Sequence, residues 1–136
     1  SYTDIVNNFY PPFEAGIDSG AESIIVNHNI YENIDKDNPA SLSSIVHNVL
    51  RNDLKFTGVI ITDNLDMDAV ENINDVTLKA VLAGNDLIIT TDYAGSFTAI
   101  KTAIDDKTLS ENTINKMAFK VLAWKYYKGL MYENQK

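Results

Sequence analysis

The stretch GVIITDNLDM, residues 58–67, changes character within six positions: Gly58, Val59, Ile60 and Ile61 are material for a core, and Thr62 and Asp63 are not. An apolar β-branched run this short, continuous rather than alternating, predicts a strand buried on both faces. Two further runs have the same form, SIIVNH at 23–28 and DLIITT at 86–91. Each ends on polar residues: His28 in the first, Thr62 and Asp63 in the second, Thr90, Thr91 and Asp92 in the third.

Between the runs the spacing predicts helices. In SSIVHNVLRNDL, Ile45, Val46, Val49 and Leu50 recur at helical intervals, with Ser43 as N-cap after the Asn38-Pro39 turn. Residues 68–83 place Val76, Ala80 and Ala83 on one face, and Gly84 supplies a left-handed stop. YAGSFTAIKTAI gives a weaker helix, and residues 11–18 give another ahead of the first strand. A last helix is expected from about Ser110 to Lys128, with Ile114, Met117, Ala118, Val121 and Leu122 inward and Gly129 ending it. On it, Trp124, Tyr126 and Tyr127 read as core and edge packing rather than as a sugar-stacking platform.

Strands alternating with helices predict an α/β fold with a parallel sheet and right-handed crossovers. The 136 residues fit one domain spanning 1–136, with no linker or low-complexity break. Three strands form a narrow sheet with two open edges, and such edges predict self-association.

Composition excludes several classes. Eleven Lys and Arg against nineteen Asp and Glu give a net charge of -8, which repels nucleic acid and anionic membranes. No apolar stretch reaches the roughly 18 residues of a membrane span. The absence of cysteine removes disulfides, thiolate nucleophiles and Cys-ligated metals, and leaves the compartment open between bacterial cytoplasm and secretion. Residues 1–20 carry no signal-peptide pattern, since Asp4, Asn7 and Asn8 interrupt any apolar region. No Gly-x-Gly phosphate loop occurs. NLDMDAVENIND imitates a calcium loop through Asn64, Asp66, Asp68 and Asp75, but Ala69 holds the place of the central glycine, so neither metal nor cofactor is expected. A phospho-accepting receiver domain would need an acidic pair after its first strand, and the chain before SIIVNH offers none.

In parallel α/β folds the ligand site lies at the carboxyl ends of the strands. If the sheet curves as in a barrel, Val59, Ile61 and Asp63 share one face, which places the Asp63 carboxylate at the mouth above two aliphatic layers. From spacing alone, the commoner role of such an aspartate is to cap the next turn or helix. His47, among Asn48, Arg51 and Asn52, reads as a surface histidine.

The motifs together resemble glycoside hydrolase family 3. GVIITDNLDM is similar to the family's strand of the form G-[VI]-[IV]-x-[ST]-D, which ends on the catalytic aspartate with a methionine downstream. PPFEAGIDSGAESIIVNH resembles its helix-strand unit, NPASLSSIVHNVLRNDLKFTG its NPASLS stretch, and TLKAVLAGNDLIIT its A-x-x-A-G-x-D unit. They stand in the family's order over roughly residues 10–130, and the nearest branch is that of the β-N-acetylhexosaminidases. Asn27, Gly16 and Asn64 depart from the usual pattern, Asn64 standing where many members have Asp or Ala.

The resemblance implies the last three βα units of a TIM barrel, hence an incomplete barrel. It implies that Asp63 is the nucleophile of a retaining glycosidase acting on terminal N-acetyl-β-hexosaminides. His28, Met67 and Asn64 would shape the rim of the sugar site, and no metal is implied. The branch's acid/base Asp-His pair and its Lys-His sugar-binding segment have no counterpart here. The chain is therefore expected to be inactive alone and to need the missing N-terminal barrel segment as a partner. The alternative is a non-catalytic α/β module, derived from such a barrel and kept for binding or assembly.

Overall fold

A computed structural model describes residues 2–131 of the chain. Two short helices, α1 (Tyr2–Asn8) and α2 (Tyr10–Asp18), lead into β1 (Ser23–Val26). A 3₁₀ turn at Ala40–Leu42 precedes α3 (Ser44–Asn48), which continues as a π-helical turn over Val49–Asp53. Then come β2 (Val59–Asn64), α4 (Val76–Ala83), β3 (Leu87–Ile89), α5 (Tyr93–Asp105) and α6 (Glu111–Tyr127). The strands form one parallel sheet in the order β1-β2-β3. This is the expected α/β alternation, with the middle strand the one that carries Asp63.

Register separates the two faces of the sheet. Ile24 pairs with Ile60 and Val26 with Thr62, and this face is covered by helices. Ile60 is fully buried there with Tyr10, Val26, Leu50, Leu54 and Phe56. Ile88 packs beyond it with Val81, Ala103, Leu109, Ile114 and Met117. Burying a side chain such as Phe56 or Ile60 contributes about 1.5–3 kcal/mol each, so these clusters hold the helices to the sheet. The other face carries Ile25, Ile61 and Leu87 in one row. Ile61, flanked by its neighbours, is 8% exposed, whereas Ile25 is 61% exposed and Leu87 37%. An aliphatic row of this kind lines the interior of a closed barrel, and here it is uncovered.

The amino end of the sheet is tied by charge. Arg51 donates to the carbonyl oxygens of Phe56 and Gly58 and pairs with Asp86. The same Asp86 carboxylate oxygen accepts the Ile60 N–H, and Lys120 of α6 approaches the other oxygen at 3.4 Å. Gly58 is required by space, because a Cβ there would lie 2.3 Å from the Glu22 carbonyl oxygen.

Four helix expectations change. Helix α1 is an addition that the spacing does not predict. The helix predicted over 68–83 starts only at Val76, because residues 65–75 form turns that close on themselves, with Asp75 at φ 56 immediately before it. On α6, Ile114 and Met117 face inward as expected, but Ala118 and Leu122 are exposed. The helix is oriented instead by Lys120, Trp124 and Lys128, four residues apart on one side. They reach Asp86 and Glu22, with the Trp124 indole donating to Glu22 at 2.9 Å. Tyr126 and Tyr127, expected to pack, form an edge-to-face pair with centroids 5.9 Å apart and are 65% and 84% exposed. Tyr126 lies about 200° around the helix from Trp124, on the side away from the sheet.

Candidate functional site

Asp63 sits one residue before the end of β2, two positions beyond Ile61 on the uncovered face. Its carboxylate caps no helix, since α4 begins at Asp75-Val76. One oxygen, Oδ1, accepts the N–H of Asn64 at 2.8 Å. The other, Oδ2, has no hydrogen-bond partner among the described residues. The side chain is half-buried. Strand pairing is irregular at this point: Ile61 aligns with Leu87 and Asn64 with Ile89, so β2 spends three residue steps where β3 spends two. Such a bulge re-aims side chains at a strand end. The buried Thr62 hydroxyl repairs the interrupted ladder by accepting the Ile89 N–H at 2.9 Å, and the Ile89 carbonyl takes the Leu65 N–H.

Asn64 is half-buried; its side-chain oxygen accepts the Asp66 N–H at 3.1 Å and its carbonyl accepts the Met67 N–H at 3.2 Å. Met67 is 45% exposed on the resulting turn. Asp66 in turn accepts the Thr91 N–H and so ties the loop after β2 to the loop after β3. That backbone bond, with the Thr91 and Thr90 hydroxyls, holds the Asp66 carboxyl below the usual range.

His28 stands beyond β1, 8% exposed. Its Nε2 lies 2.9 Å from the Asn64 carbonyl oxygen and its Nδ1 2.7 Å from Ser41 Oγ. A carbonyl can only accept, so Nε2 carries the proton, and in the neutral ring Nδ1 accepts the serine hydroxyl. Both nitrogens are thus engaged inside the chain, and the ring shapes the rim from behind rather than offering a free nitrogen to it.

The NPASLS segment builds the support for that ring. Ala40 and Ser41 donate their N–H groups to the Asn29 and Asn27 carbonyls, which fastens the segment to the end of β1. Ser43 caps α3 by accepting the Val46 N–H and donates to Asp35 at 2.6 Å. The Ser43 hydroxyl, followed by Asn38 and the N–H groups of Asp37 and Asn38, lowers the Asp35 pKa despite burial. The fully buried Asn85 donates at 2.7 Å to both the Ser41 and Ala80 carbonyls and locks the segment to α4. Ser41, Thr62 and Asn85 escape a reading of the sequence as candidate residues. Their one signal there is a small polar residue inside an otherwise apolar motif.

His47 corrects the expectation of a surface residue, being 3% exposed. Its Nδ1 donates to the Ser43 carbonyl at 2.8 Å, and its ring lies against Gly84, with Cδ2 3.5 Å from where a Cβ would stand. Helix α3 is covered by α4 as well as by the sheet, so a one-sided amphipathic pattern misassigns this position. An apolar groove of about 220 Å³, lined by Phe9, Phe13, Ile24, Ile25, Asn27 and Tyr31 among others, follows the free edge of β1. Asp63 lies outside it, so the carboxylate stands on an open face. Among the described residues no group of three or more His, Asp and Glu side chains could hold a metal ion.

Comparison with known proteins identifies relatives of the same fold. The β-hexosaminidase of Nitrosomonas eutropha is 33% identical over 133 residues, an alignment covering 87% of this chain and 38% of that protein. The crystal structure of a β-N-acetylhexosaminidase from Beutenbergia cavernae superposes with a TM-score of 0.74 at 31% identity, covering 85% of this chain and 36% of the other. A family 3 β-N-acetylglucosaminidase from Paenibacillus sp. FPU-7 superposes at 0.80 with 25% identity, over 92% of this chain and 27% of the other. The chain thus spans well under half the length of these relatives. The family model described as the glycosyl hydrolase family 3 N-terminal domain matches residues 1–124, and the chain belongs to glycoside hydrolase family 3.

Proposed function

We propose that this chain is the nucleophile-bearing part of a retaining β-N-acetylhexosaminidase acting on terminal N-acetyl-β-hexosaminides. The observation that carries the reading is Asp63: a carboxylate at the carboxyl end of the central strand, with Oδ1 held by a backbone N–H and Oδ2 without a hydrogen-bond partner among the described residues. In the reaction Oδ2 attacks the anomeric carbon and the glycosidic C–O bond breaks, giving a covalent glycosyl-enzyme intermediate. The departing oxygen takes a proton from a general acid, and water then cleaves the glycosyl ester and regenerates the carboxylate. Holding Oδ1 fixes the direction in which Oδ2 points. Asn64 and Met67 border the sugar, and the chain 1–136 acts as one domain.

The general acid comes from elsewhere, because the branch's Asp-His acid/base pair has no counterpart here; His28 has both ring nitrogens, and His47 its Nδ1, engaged in hydrogen bonds within the fold. The partner that supplies it is a segment bearing the remaining barrel strands, docking against the exposed row of Ile25 and Leu87. An aryl N-acetyl-β-glucosaminide assayed with this chain, alone and mixed with the N-terminal barrel segment of the Nitrosomonas eutropha relative, tests the reading. No turnover alone, turnover on mixing, and its loss in Asp63→Ala are expected. No turnover under either condition would favour a non-catalytic binding or assembly module.

A further inference from the structure

We propose that His28 is a positioning residue for the Asp63 carboxylate, acting through the Asn64 backbone rather than through the sugar. The proposal rests on Asp63 being the nucleophile. Asn64 is held from both sides: its N–H donates to Asp63 Oδ1 at 2.8 Å, and its carbonyl accepts His28 Nε2 at 2.9 Å. The two groups lie in successive peptide planes joined at the Asn64 Cα, so releasing the carbonyl from His28 frees the ψ torsion of Asn64 and loosens the backbone that holds the aiming N–H. The ring cannot drift to relieve this, because Ser41 Oγ fixes Nδ1 at 2.7 Å, and Ser41 is itself fully buried and pinned through its backbone to Asn27 and Asn85. Thr62 makes the complementary tie on the other side of Asp63, to β3. The bulged residue is thereby held between two neighbouring strands. Ser41 sets the tautomer and His28 the carbonyl: a bound Oγ–H at Nδ1 leaves the proton on Nε2, where the carbonyl needs it.

Two variants separate this role from sugar contact. The side-chain amide nitrogen introduced by His28→Gln can reproduce Nε2, whereas the shorter side chain of His28→Asn reaches only as far as Nδ1. With the barrel segment added and the aryl glycoside as substrate, His28→Asn is expected to lower kcat about 10- to 100-fold with KM unchanged, since misplacing a reacting group by about 1 Å costs that order. His28→Gln is expected to recover most of the loss. A rise in KM, or equal losses in both variants, would overturn the proposal. A readout independent of turnover is nitrogen-15 NMR of the chain: His28 in the Nε2–H tautomer, and Asn64 and Leu65 amide resonances displaced in His28→Asn and returned in His28→Gln. An Nδ1–H tautomer, or unmoved Asn64 and Leu65 resonances, would also overturn it. If the unmutated, supplemented chain shows no hydrolysis, the glycosidase reading fails, while the NMR result still decides what His28 does.

Discussion

At the scale of the residue, the site depends on polar atoms placed among apolar ones. The Thr62 hydroxyl is fully buried and takes the N–H that the bulge leaves over. Thr62→Val keeps the shape and removes the acceptor, so it should destabilise the chain by about 1 kcal/mol, the lower end of the cost of an unpaired N–H because Ile89 is only partly covered. Chemical denaturation measures it, and a loss under about 0.5 kcal/mol would show that the bulge tolerates an unpaired Ile89 amide. Ser43→Ala removes both the α3 cap and a hydrogen bond to Asp35, and should cost about 1–2 kcal/mol. It also carries a pH signature. Hydrogen bonding holds the folded-state Asp35 below its ordinary value of 3.8, so its stabilisation is present above that value and lost as pH falls through the folded-state one. Without the Ser43 hydroxyl, the largest cause of the lowering, the acid-unfolding midpoint should move to higher pH, as followed by circular dichroism.

At the scale of the element, helices are attached by clamps that periodicity does not reveal. Asp86, 4% exposed on its side chain, joins Arg51 behind α3, the amide of Ile60 in β2 and Lys120 in α6. Asp86→Ala should destabilise by about 3–5 kcal/mol, because Arg51 would be left partly buried without its partner. Arg51→Lys should be nearly as harmful, since one ammonium cannot meet the Phe56 and Gly58 carbonyls and the Asp86 carboxylate together. Thermal unfolding compares the two, and full stability in Arg51→Lys would reduce the clamp to simple charge attraction. The helices themselves are legible where one apolar face meets one neighbour, as in α5, and misjudged where two neighbours cover a helix. His47 of α3 shows why: α4 buries the side that the sequence assigns to solvent.

At the scale of the whole molecule, the uncovered sheet face is expected to govern solution behaviour. Ile25, Leu87 and Ile89 are 61%, 37% and 40% exposed, and Ile25 also lines the open groove along β1. Apolar surface and an unpaired strand edge side by side favour association. The chain supplied alone is expected to self-associate at micromolar concentration in analytical ultracentrifugation. Ile25→Lys should shift it toward monomer, because a charge in the row must be desolvated on contact. A wild-type chain that sediments as a compact monomer would contradict this.

The order of strands and helices, the parallel sheet, and Asp63 at the end of the middle strand were all determined by the sequence itself, because continuous β-branched runs and their polar endings are local signals. Tertiary structure decided the rest. The bulge at Asp63, the Thr62 and Ser41 hydroxyls, the tautomer of His28 and the burial of His47 depend on partners 4 to 36 positions apart in the chain. Hydrogen-bond direction and burial are properties of such pairs, and no spacing within one segment encodes them.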